Sequence, residues 1–110
     1  MKYVALVYLE EEKLRSVPDR ECMECGNEFR KSGVLPAAEA LQPVKTAVTV
    51  RVRNGKTTIT DGPFAETKEQ LAGFYLLEAD SLEAATQMAA KIPPAREGSI
   101  EVRPVRELEP

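Results

Sequence analysis

Histidine is absent from all 110 residues. Its absence closes His-based triads, His general bases, His metal ligands and a His-ligated haem to this chain. Long apolar runs are missing too, since none approaches the roughly 18 residues that a membrane span needs. The Lys2–Leu9 run lacks the length and cleavage site of a signal peptide, so a cytoplasmic location is expected. No block of basic residues exists: 15 Lys and Arg are interleaved with 18 Asp and Glu, for a net charge of −3. A broad nucleic-acid-binding face is therefore not expected. Cysteine is scarce, with only Cys22 and Cys25. Zinc needs four ligands, which two sulfurs without histidine cannot supply unless a partner chain or carboxylates complete the set. A thioredoxin-type pair would begin a helix, whereas these two fall inside one. Packing, redox sensitivity and metal binding stay open for the pair, with free thiols expected in a reducing compartment. Neither a metal nor a cofactor is assigned.

What remains is the material of a folded globular domain. Hydrophobic residues make up 43% and charged residues 30%, which argues against disorder. At this length one domain over residues 1–110, with one modest core, is expected.

Along the chain, Lys2–Leu9 is apolar on both alternating sets after Lys2 and reads as a central strand covered on both faces. Glu10-Glu11-Glu12 ends it as a solvated loop. Ser16 or Asp19 can cap a helix that has Pro18 in its first turn and runs to about Ser32, where Gly33 closes it. Val17, Met23 and Phe29 form its irregular apolar stripe, and small residues at Cys22, Cys25 and Gly26 would let it lie close to a sheet. Gly33–Pro43 reads as an extended connection. From Val44 to Arg53 the residues alternate, with Val48, Val50 and Val52 on one face and Thr49, Arg51 and Arg53 on the other. Asn54-Gly55 then makes a hairpin with Lys56–Thr60.

Asp61-Gly62-Pro63 forces a sharp turn, and Thr67 with Gln70 matches a capping box for one short helical turn. Phe64 is read as a core plug. Asp61 has two readings, a cap for the turn or a carboxylate facing an apolar cavity, where desolvation would let it act as a base. Phe74–Ala79 is a further strand, apolar on both faces. Ser81 caps a helix through Lys91, with Leu82, Ala85, Met88 and Ala89 at helical spacing and Pro93-Pro94 stopping it. Ser99–Val105 is the last strand, and Pro104, with no amide to donate, is placed at an edge or near the strand's end. The order is that of an α+β domain close to a ferredoxin-like βαββαβ sandwich, with a hairpin strand added. Helices cover one sheet face, and a second copy of the chain could cover the other.

Residues 60–75, Thr-Asp-Gly-Pro-Phe-Ala-Glu-Thr-Lys-Glu-Gln-Leu-Ala-Gly-Phe-Tyr, carry a family resemblance. With Thr49–Gly55 before them and Glu101–Val105 after, they resemble the DGPF proteins of the bacterial YCII-related domain family, and the likeness runs from Met1 to Pro104. It implies a dimeric α+β barrel, two sheets facing each other around a cavity, in a family with no settled biochemical role. A His–Asp pair has been proposed as an active site in the wider group. Without histidine, Asp61 is a remnant, a binding group or a base acting alone.

The expectation is a homodimer that binds a small anionic organic molecule between its sheets. Asp61 is the candidate acid or base. Arg51, Arg53 and Arg103 are the candidate anion-holding groups, unless they serve as ion-pair partners of Glu101, Glu66 or Glu69. Tyr3, Tyr8 and Tyr75 can add hydroxyls, Tyr75 foremost. The alternative, also implied by the resemblance, is a non-enzymatic regulatory protein associated with an extracytoplasmic-function sigma factor. A third is a dimer whose cavity is filled by its own side chains.

Overall fold

A computed structural model describes all residues from Met1 to Pro110. Strand β1 (Lys2–Leu9) lies between β5 (Gln70–Glu78) and β6 (Ser99–Pro104), antiparallel to both. Its alternation decides the layering. Tyr3, Ala5, Val7 and Leu9 are buried, while Val4, Leu6 and Tyr8 are only half-buried. The first set faces helices α1 (Asp19–Lys31) and α2 (Leu82–Ala89). In the same layer Leu77, Tyr75, Phe29, Ala89 and Ile92 complete the core, with Phe29 meeting the Tyr75 ring edge-on at 6.2 Å. The second set has no helix over it.

The fourth strand of the sheet is β2 (Ala37–Ala40), which pairs with β5 to give the order β2-β5-β1-β6. This corrects the reading of 33–43 as a mere connection. Alanine and glutamate have little strand propensity. The segment is a strand because the free edge of β5 claims it: beyond the four paired residues, the Leu41 amide donates to Ala72 O and the Glu78 amide to Val34 O, both at 2.9 Å.

The valine-rich hairpin, β3 (Val48–Arg53) and β4 (Lys56–Asp61), forms where expected but stays outside the main sheet, as a separate two-stranded ribbon. Asn54 and Gly55 both take positive φ (52° and 75°), as a two-residue primed turn requires. The ribbon's valine face is bare: Val48, Val50, Val52 and Ile59 are all more than half exposed.

Several local expectations give way to packing. Pro18 occupies the N-cap of α1 with no side-chain cap, and the Ser16 hydroxyl donates instead to Lys13 O at 2.7 Å. Met23 leaves the predicted stripe and is 67% exposed. At α2 the Ser81 hydroxyl accepts from the Ala84 amide at 3.1 Å as expected, but the helix ends at Ala89 and Leu82 lies outside its buried face. No helical turn follows Pro63. The Thr67 hydroxyl donates to Glu69 O at 2.6 Å, and from Gln70 onward the chain pairs with β1. Phe64, read as a core plug, is 79% exposed. Pro104 ends β6, an edge strand bonded only to β1.

The molecule is flat, 45 × 42 × 19 Å, with a radius of gyration of 15.6 Å against about 13 Å for a compact domain of 100 residues. Only 15 of 110 residues are buried, so the core within one chain is small.

The approach of β2 to β5 depends on Gly73, where a Cβ would lie 2.8 Å from Glu39 O and 3.3 Å from Ala40 Cα. Both are backbone atoms of β2 and cannot retreat without parting it from β5. Gly73→Val is expected to destabilise the protein by roughly 1–3 kcal/mol in urea denaturation and to speed amide exchange at Leu41.

Candidate functional site

Two features stand apart from ordinary core packing, a bare sheet face and a cavity under α1 that opens to solvent. The bare face is formed by Val4, Leu6 and Tyr8 of β1 with their register partners Leu76 and Phe74 of β5, an apolar strip of half-buried side chains. Its β6 margin carries Ser99, Glu101 and Arg103, opposite Tyr8, Leu6 and Val4. Arg103 is ion-paired with Glu101, which holds the guanidinium's proton even more firmly than usual. The Ser99 hydroxyl donates to Glu69 at 2.7 Å, and Lys68 reaches Glu10 at 3.6 Å. These contacts tie the segment after the Asp-Gly-Pro-Phe turn to the sheet margin.

The five residues singled out from the sequence do not meet in one protomer. Arg51 and Arg53 lie on one face of β3, opposite Thr58 and Lys56. Asp61 ends β4 opposite Val48, on the valine face, so strand alternation turns it away from the two arginines. It is exposed, and its side chain caps nothing. No part of its own chain encloses its carboxylate. Arg103 sits on β6, and Tyr75 lies on the opposite, helix-covered face of the sheet.

Tyr75 belongs instead to the cavity, a feature that the spacing of the sequence did not reveal. Between α1 and the β2–β5 half of the sheet lies a space of about 500 Å³. Cys22 and Gly26 face it from α1, and Ala38, Ala40 and Gly73 from the sheet. Both walls are built of small side chains, which was expected to bring the helix close. Close packing does not follow, because the large Phe29 on the same helix bears edge-on against Tyr75. Val7, Leu9, Val17, Leu41 and Pro94 make most of the remaining surface apolar.

Polar groups at the cavity are few. Tyr75 is 8% exposed and lines the cavity, and its hydroxyl has no hydrogen-bond partner in the protein but keeps contact with solvent. Burial, with the two nearby thiols adding and Arg30 opposing, pushes the phenol from 10.0 up to about 12. Burial likewise raises Cys22, helped by Asp19 and Glu21, and raises Cys25, helped by Cys22 and Glu28. Both thiols are thereby kept protonated, the opposite of an activated nucleophile. The Cys25 thiol donates to Lys91 O at 3.6 Å. No three His, Cys, Asp or Glu side chains come together as a metal cluster, and no helix is long and apolar enough to cross a membrane.

The phenol's shift carries a sign. Its folded pKa lies above the unfolded one, so its contribution to stability is complete below pH 10 and is lost as pH rises through about 12. Following tyrosinate absorbance, one of the three tyrosines is expected to ionise with a midpoint near 12. Tyr75→Phe removes that step. Because it deletes only an unpaired hydroxyl, unfolding free energy should stay within about 1 kcal/mol of the parent or rise.

Comparison with known proteins places the chain. The family model of the YCII-related domain matches residues 1–109. An uncharacterized protein of Rhizobium meliloti (strain 1021) is 38% identical over 109 residues, covering 97% of this chain and 86% of that protein. With a full-length family match and a relative at this identity, the chain belongs to the YCII-related domain family.

Proposed function

We propose that this YCII-related protein is a homodimer that closes its bare sheet faces against each other and binds a small organic anion in the space between them. The observation that carries this reading is the strip of Val4, Leu6, Tyr8, Phe74 and Leu76, apolar yet left without a cover by its own chain. The exposed valine face of the β3–β4 ribbon supports it too, since an isolated two-stranded hairpin is at best marginally stable in water. The strand order β2-β5-β1-β6, with a helix after β1 and another after β5, fits a ferredoxin-like βαββαβ plan into which the ribbon is inserted. In this arrangement the ribbon acts as an arm laid on the partner.

Covering the valine face encloses Asp61, whose carboxylate then serves as a polar anchor of the site and is its candidate acid or base. Arg103 at the sheet margin holds the anion, with Arg51 and Arg53 on the arm's other face as further cationic contacts. Catalytic turnover is not part of this reading.

Native mass spectrometry is expected to find twice the chain mass for the parent and the single mass for Leu6→Glu, which places a charge in the middle of the strip. A parent that runs as a single chain overturns the reading. If an anion is retained by the dimer, Arg103→Ala should weaken it by about tenfold or more, and Asp61→Asn, which removes a negative charge from the same site, should change its affinity measurably. Unchanged retention in both, at unchanged thermal stability, would place the ligand elsewhere.

A further inference from the structure

The cavity under α1 lies on the helix-covered side of the sheet, bounded by α1 and by Val7, Leu9 and Tyr75 of the covered face. We propose that it is a separate ligand site for a small, largely apolar monocarboxylate, whose carboxylate lies between the Tyr75 hydroxyl and the Arg30 guanidinium.

Size and lining come first. A volume of about 500 Å³ lies within the roughly 300–1,000 Å³ of small-molecule sites, which are mostly apolar with a few placed polar groups. Tyr75 lines the space, and its hydroxyl, open to that space and bonded to no protein group, is free to donate to a ligand. Its raised pKa keeps it a neutral donor, suited to an oxygen acceptor rather than to a cation.

Arg30 supplies the charge. It lines the cavity, forms no ion pair and bonds only the Asn27 side chain, at 3.2 Å. Two other charged residues line the space, and neither cancels it. Asp19 starts α1, eleven residues before Arg30, roughly 16 Å away along the helix. Glu39 alternates with Ala38 and Ala40, so its carboxylate belongs to the opposite sheet face and only its backbone borders the cavity. The Tyr75–Arg30 end is therefore the cationic, hydrogen-bond-donating end. The other end, near Leu9, Val17 and Pro94, is apolar.

The test uses 4-phenylbutanoate, with its neutral amide as the counterpart, titrated into the full chain and followed by amide chemical shifts. Shifts are expected at Cys22, Gly26 and Asn27 of α1 and at Ala38 of β2. The amide should bind at least about tenfold more weakly, as should phenylbutanoate to Arg30→Gln; Tyr75→Phe should cost roughly three- to tenfold. Thermal melting verifies that both variants are folded. No shift on α1 up to the probe's solubility limit overturns the proposal, as does binding there that neither variant weakens. Shifts confined to Glu101 and Arg103 of β6 also overturn it while leaving the intersheet reading intact.

Discussion

A central strand that is apolar on both faces needs two covers, and this chain builds one. Everything distinctive about the fold follows from that constraint on β1. Ala5 and its partner Tyr75 are buried beneath the helices, whereas Leu6 and its partner Phe74, one residue along each strand, have only the other side chains of the bare strip and the sheet margins. Because side chains alternate with a period of two, neither set can be moved to the covered face without moving the other out. The small core, the flat outline and the bare strip are three consequences of the same arrangement.

The β3–β4 ribbon is the second consequence. Inserted between β2 and β5, it closes on itself through the Gly62 amide, which donates to Ala47 O at 2.7 Å, and the Thr49 hydroxyl, which donates to Gly62 O at 2.8 Å. These bonds seal its base and leave its valines without neighbours. A ribbon with one apolar face and no place in its own sheet has the form of an arm. Asp61, at the foot of that face, then depends for its surroundings on whatever the arm touches.

On the helix side the governing fact is a mismatch of sizes. Cys22 and Gly26 on α1 oppose Ala38, Ala40 and Gly73, but Phe29 and Tyr75 meet at the same helix–sheet boundary and hold the two apart. The resulting space has a phenol at its wall and a free guanidinium at its mouth. Tyr75 thus changes character: in the sequence it is one of several strand tyrosines, and in the fold it alone combines burial, an unpaired hydroxyl and a cavity.

Much of this was legible in the residues themselves. The Asn54-Gly55 turn, the Ser81 cap and the edge or strand-end position implied by Pro104 are local signals, each set by backbone sterics or a neighbouring hydrogen bond. Those the structure bears out; Lys2–Leu9 is the central strand its apolar run suggests, but only one of its faces is covered. Local rules failed where long-range pairing decides: Ala37–Ala40 became a strand because β5 had a free edge, the Thr67–Gln70 capping box lost to pairing with β1, and Phe64 found no core to plug. The sequence by itself determined which segments are apolar and where the chain turns, because those depend on side-chain type and φ preference over a few residues. Only the tertiary structure decided that the valine hairpin stands outside the sheet, that Asp61 and the arginines point apart, and that Tyr75 faces a cavity, because each depends on distant strands competing for the same edges and faces.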